Sequence, residues 1–214
     1  MCATDRDLAS RHVSGGLSEL RPKLRALGLV GPGEIRGQPL SGGVSSEILK
    51  ISSADRVFVV KRALPKLKVK ADWFAHPERN RFERAFLQYA STVMPGSVPA
   101  LLGWSDTDMF IAMEFLGDGF RLWKDLLLAG VIAARDFQRA GQLLGRLHAT
   151  SWGKANLARE FDSGRNFFEL RLEPYLLFTA QRHPRLRGYF EREAGRLAAF
   201  RACLVHGDFS PKNI

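Results

Sequence analysis

The spacing of apolar residues along the chain changes character twice. Between Leu17 and Leu29, Leu20, Leu24 and Leu27 recur at helical intervals, which predicts a short helix with Pro22 in its first turn. Residues 1–16 are polar, end in Gly15 and Gly16, and read as a flexible leader. Gly31, Pro32 and Gly33 then break the chain. From Ile35 to Arg62 the pattern becomes that of strands. Ile35 to Leu40 forms one run, Ser46 to Ser52 alternates through Ile48 and Ile51, and Val57 to Val60 is β-branched and aromatic, with Asp55 in the turn before it. This predicts an antiparallel meander of three strands.

Pro77 and Glu78 open a helix that runs to about Val93 with Phe82, Phe86 and Tyr89 on one face. Two further strands are expected, from Leu101 to Trp104 and from Met109 to Phe115, joined by the turn residues Asp106, Thr107 and Asp108. Past Gly117 and Gly119 the periodicity is helical. Leu122 to Leu128 is short and amphipathic. Ala133 to Ser151 carries a stripe of Phe137, Ala140, Leu144, Leu147 and Ser151. Phe167 to Gln181 and Leu186 to Leu204 predict two more helices. Strands followed by helices indicate an α+β fold in two lobes. The expected division is a leader over 1–16, a nucleotide-binding N-lobe over 17–117, and a partial helical C-lobe over 118–214.

Composition narrows the classes. At 45% hydrophobic and 25% charged residues, the 214-residue chain has the make-up of a globular protein. It carries 32 Lys and Arg against 22 Asp and Glu, a net charge of +10. The basic residues are dispersed, and even Lys61 to Lys70 is interrupted by Ala63, Leu64, Pro65, Leu67 and Val69. With no helix-turn-helix, zinc or aromatic-basic signature, this reads as a solvated basic face and not a nucleic-acid site. Cys2 and Cys203 have no partners at zinc spacing, which points to reduced thiols. No apolar run reaches the roughly 18 residues of a membrane span, and no apolar segment follows the polar N-terminus. The expectation is a cytoplasmic protein without membrane partners.

Candidate chemistry concentrates at Val205-His206-Gly207-Asp208-Phe209-Ser210-Pro211-Lys212-Asn213-Ile214. A kinase needs a carboxylate to orient an attacking hydroxyl and accept its proton. It also needs an amide oxygen nearby to hold magnesium on the phosphates. A tight loop with Asp and, five positions on, Asn brings both to one cleft. Lys61, at the end of Val57-Phe58-Val59-Val60, is placed to reach ATP phosphates, although a strand-end Lys also blunts sheet edges. Glu83 on the next helix is the candidate partner for Lys61. Glu78 competes for that role, and Glu83 could instead bond Arg79 or Arg84. Gly42, Gly43 and Ser45 lie between the first strands, where glycine lets backbone N–H groups approach phosphate, or where it simply makes a hairpin turn.

His-Gly-Asp-x-x-x-x-Asn resembles the catalytic loop of aminoglycoside phosphotransferases, choline kinases and their relatives. The resemblance implies a bilobal protein-kinase-like fold: an antiparallel five-stranded N-lobe sheet with a helix, and a mostly helical C-lobe. It also implies ATP and Mg2+ as cofactors and a small-molecule hydroxyl acceptor. By the same resemblance Asp208 is the catalytic base, Asn213 a magnesium ligand and His206 a brace for the loop. Backbone groups of Glu114 and Leu116, in Ala112-Met113-Glu114-Phe115-Leu116, would meet adenine.

Several stretches also look like methylthioribose kinases: Val60 to Pro65, Trp73, Glu78-Arg79, Phe82-Glu83, Leu122 to Gly130 and Phe168-Glu169-Leu170-Arg171. The departure is Asn213, where those enzymes carry Ser. Aminoglycosides, as polycations, want an acidic pocket, and a +10 chain argues against them. Kinases of this type carry a second acidic metal-binding motif after the catalytic loop, which these residues do not include. The expectation is a C-terminally truncated chain that is inactive alone. The alternative is a non-catalytic, pseudokinase-like nucleotide-binding module, against which the retention of Lys61, Asp208 and Asn213 argues.

Overall fold

The structure, a computed structural model, describes residues 16–40, 43–70, 72–117 and 119–214. Helix α1 covers residues 16–26. It ends earlier than its apolar spacing implies because Gly28 turns left-handed at φ 67°. The Leu29 N–H returns to the Leu24 carbonyl and the Gly28 N–H to Arg25, which closes the helix end.

Strands β1 (Arg36–Pro39), β2 (Ser46–Ser52) and β3 (Val57–Ala63) form the expected meander. After α2 (Arg79–Val93), strands β4 (Leu101–Ser105) and β5 (Phe110–Glu114) join the sheet. The sheet has five strands in the order β1-β2-β3-β5-β4, and every pairing is antiparallel. The chain is α+β, with an N-terminal sheet and a helical remainder, as in kinase-like folds.

Strand alternation assigns the two faces of the sheet. Leu49, Ile51, Phe58, Val60, Phe110 and Ala112 point to one face and bury against Leu20 and Leu24 of α1, with Leu29, Val30 and Ile35 completing the cluster. Fully burying a leucine of this kind stabilises a fold by about 1.5–3 kcal/mol. Contact between α1 and the strands is close. A β-carbon at Gly37 would lie 3.2 Å from the Leu17 methyls, and one at Gly103 would lie 3.1 Å from Leu29. The intervening β3 residues, Val59 and Lys61, point to the opposite face, towards α2.

The helical part comprises α3 (Trp123–Leu128), α4 (Ala134–Ser151), α5 (Ala155–Glu160), α6 (Gly164–Phe167), α7 (Phe178–Arg182) and α8 (Arg187–Ala199). On α4 the expected stripe buries Ala140, Leu147 and Ser151, while Phe137 stays exposed. A second cluster joins Ala90 and Met94 of α2 to Leu147, with Phe86, Tyr89, Leu143 and Leu204 packed around it. This cluster ties the sheet region to the helices.

Two expectations need correction. The helix expected from Leu186 to Leu204 stops at Ala199, with Phe200 extended. There the Gly153 N–H takes the Ala202 carbonyl at 2.9 Å and the Leu204 N–H donates to Ser151 Oγ at 3.0 Å, so tertiary bonds replace helical ones. The helix expected from Phe167 to Gln181 starts earlier, at Gly164, and runs through a π-helical segment, Phe168–Leu177, that contains Pro174. The short α5 carried no periodic signal of its own.

Candidate active site

Lys61 is held twice. Its Nζ lies 2.6 Å from Glu83 Oε1, and its backbone carbonyl accepts from Asn80 Nδ2 at 3.3 Å. Asn80 and Glu83 are three apart on α2 and therefore share a face. Of the competing pairings, Glu78 goes to Arg81 at 3.6 Å and Arg84 goes to Asp106 at 3.3 Å. Arg79 gathers four backbone carbonyls, those of Ala75, His76, Ser45 and Leu64.

Through Ser45, Arg79 braces the turn between β1 and β2. Gly43 there is left-handed at φ 77°, a conformation that glycine adopts without strain. Gly42 lies outside the described residues. The Glu114 N–H donates to the Ala100 carbonyl at 2.8 Å, so only its carbonyl could meet a base. Leu116 is exposed just beyond β5.

One turn on from Glu83, Phe86 meets the His206 ring edge-to-face at 5.4 Å, and Phe209 flanks the same ring at 5.8 Å. The Asp208 N–H donates to His206 Nδ1 at 3.3 Å. Burial, the largest influence, holds the His206 imidazole below its ordinary value. Asp208 and Glu83 pull it up, and Arg171 and Lys61 push it down with burial. All four charges therefore act on one ring. Helix α2 brings the strand lysine and the Asp208 loop to a single cleft.

Gly207, at φ 75°, turns the loop so that Asp208 projects outward. Asp208 Oδ2 sits 2.9 Å from Lys212 Nζ and 3.5 Å from Arg171 Nη2. Burial pushes this carboxyl up, but the Lys212 hydrogen bond and the Arg171 and Lys212 charges outweigh it and hold it below the usual aspartate value. Asn213 Nδ2 donates to the Asp208 carbonyl at 2.7 Å. That bond leaves the Asn213 amide oxygen uncommitted to the Asp208 carbonyl. Among the described residues, no cluster of three His, Cys, Asp or Glu could hold a metal by itself.

The family model described as the phosphotransferase enzyme family matches residues 36–214. The chain belongs to this phosphotransferase family. The match takes in the sheet, Lys61, Glu83 and the loop through Asn213, and it leaves out α1. No curated protein matches the chain. In this phosphotransferase the Lys61–Glu83 pair and the loop carrying Asp208 and Asn213 both pack on α2, through Glu83 and through Phe86.

Several residues around this phosphotransferase site escaped sequence reasoning in their roles. Asn80 and Arg79 signal only as polar residues at a helix start. Glu169 and Arg171 stood in a recognised stretch without a task. In the fold, Trp73 Nε1 donates to the Glu169 carbonyl at 3.1 Å, so two separately noted stretches meet. Among the described residues, no helix is long and apolar enough to cross a membrane.

Proposed function

We propose that this protein transfers the terminal phosphoryl group of ATP to a hydroxyl of a small molecule of sugar or amino-alcohol type. The carrying observation is that α2 holds Lys61 through Glu83 and the Asp208 loop through Phe86 and His206. Lys61 would sit on the α- and β-phosphates. Gly43 and Ser45, with Gly42, would cover the phosphates. The Glu114 carbonyl and Leu116 backbone would receive adenine.

Asp208 would orient the acceptor hydroxyl in line. Held below the usual aspartate value, its carboxylate is a weak proton acceptor, which suits a dissociative transfer where the proton leaves late. Asn213 Oδ1 would hold magnesium together with the nucleotide phosphates, and the ion would neutralise charge there. With one amide as the protein ligand, transfer by these 214 residues alone should be slow.

The acceptor is best sought among neutral or anionic sugars, methylthioribose included. Arg171 and Lys212 beside Asp208 would repel a polycationic aminoglycoside.

The test is equilibrium binding of MgATP followed by an ADP-release assay over a panel of sugars and alcohols. Sugar-dependent ADP release that Asp208→Asn abolishes supports the reading. Nucleotide binding with no transfer to any acceptor would leave the non-catalytic module, and absence of nucleotide binding would end both.

A further inference from the structure

The π-helical segment Phe168–Leu177 has a local cause. Pro174 has no N–H, so the Leu170 carbonyl loses the donor an α-helix would supply. That carbonyl accepts instead from Arg171 Nη1 at 2.8 Å. The rest of the same guanidinium is committed to the catalytic loop. Nε donates to the Gly207 carbonyl at 2.5 Å and Nη2 faces Asp208 Oδ2 at 3.5 Å. Arg171 thus holds both the left-handed glycine that turns the loop and the carboxylate that follows it.

Two residues earlier, Glu169 reaches another way, since residues two apart on a helix do not share a face. Its carboxylate accepts from the His76 N–H at 2.8 Å, meets His76 Nδ1 at 2.8 Å and takes Arg165 Nε at 3.0 Å. Its carbonyl takes the Trp73 indole, and Asn166 Nδ2 reaches the His76 carbonyl at 3.4 Å. Residues 73–76 continue into Arg79, which braces the Ser45 turn.

We propose that Arg171 is a positioning residue for Gly207 and Asp208, and that the Pro174 π-turn couples this hold to the Trp73–His76 segment gripped by Glu169. The π-turn sets two contacts that point apart, one to each side of the cleft. When the Trp73–His76 segment closes on Glu169, Arg171 is seated and Asp208 is aimed. The coupling rests on the phosphotransfer reading for its catalytic consequence but not for its structural one.

The test compares Arg171→Gln, Arg171→Lys, Glu169→Gln and Pro174→Ala in the same chain. One readout needs no turnover: amide exchange at Gly207 and Asp208. Arg171→Gln should speed loop exchange about tenfold, and Arg171→Lys should restore it only in part, because an ammonium cannot hold both Gly207 and Leu170. Glu169→Gln should speed the same loop amides several-fold although Glu169 touches none of them. Pro174→Ala should do likewise while leaving the helix as stable or more so. Where turnover is measurable, kcat should fall about tenfold or more with the KM for ATP within twofold. Loop exchange unchanged in Arg171→Gln, or indifferent to Glu169→Gln and Pro174→Ala, would overturn the proposal. If the wild-type protein binds no nucleotide while the variants still speed loop exchange, the kinase reading falls and the coupling stands.

Discussion

Replacing Glu83 by Gln removes one charge from the Lys61 pair and keeps the shape of the side chain. The two side chains are 27% and 32% exposed and 2.6 Å apart. Solvent screens such a pair, so its contribution to folding is about 1 kcal/mol or less. The melting midpoint should drop by about 2–4 °C for a chain of this size.

The effect on nucleotide should be larger, because Lys61 then meets the phosphates without a fixed partner. A hydrogen bond to a charged group contributes about 1.5–3 kcal/mol. Gln can still accept from the ammonium, so Glu83→Gln belongs at the low end, roughly tenfold in affinity. Glu83→Ala belongs at the high end, roughly 150-fold. The assay is titration of a fluorescent ATP analogue with magnesium into folded variants. Lys61→Met should match Glu83→Ala, and the double variant should be no weaker than the worse single one, since the residues act as a unit. Affinity within twofold of the wild type for Glu83→Ala, or strictly additive losses, would refute the assignment.

Arg79→Lys should destabilise the chain by about 3 kcal/mol, because an ammonium cannot reach the carbonyls of Ser45, Leu64, Ala75 and His76 together; urea unfolding measures this. Gly207→Ala should cost about 1–2 kcal/mol through its left-handed backbone alone, since an added β-carbon meets nothing within 4 Å, and calorimetry would detect it. Acid should weaken the fold in two stages. The unfolded state binds more protons wherever a folded value is depressed, so stability rises with pH across that window. The His206 contribution is full above its ordinary 6.5 and is lost as pH falls below it. The Glu169 contribution is full above its ordinary 4.5 and is lost as pH falls through its depressed value. The pH dependence of urea midpoints should show both stages, and His206→Gln should flatten the first.

Much of this architecture was legible because it rests on local rules. Alternation in β2 and β3 assigned faces, and four of the five strands fell within a residue of their observed ends, while β3 runs three residues past Val60 to Ala63. That Lys61 would meet Glu83, and that Asp208 and Asn213 would share one loop, was legible because kinase chemistry pairs those residue types at those spacings. What stayed hidden depends on distant partners. The end of α8 is set by bonds from residues 202–204 to the end of α4, which no local pattern encodes. The start of α1 was readable, but its early stop depended on Gly28, whose left-handed turn outranked the apolar spacing. Pro174 could have flagged the π segment, because it stands four residues after the carbonyl that Arg171 takes. The convergence of Trp73 with Glu169 spans 96 positions and could only come from the fold.

The helix that backs the sheet lies outside the stretch shared with the family, which begins at residue 36. Yet Leu20, Leu24, Leu29, Val30 and Ile35 supply five members of the sheet's buried cluster. At about 1.5–3 kcal/mol each, their loss would rival the whole stability of an ordinary domain. Kinship and cooperativity therefore have different borders in this protein. A relative that shares only the matched stretch must shield that face of its sheet with material of its own. Strand alternation leaves this substitution chemically silent, because Lys61 faces the other way. Changes to the backing helix should therefore move the melting temperature and leave the Lys61 face of the same strands untouched.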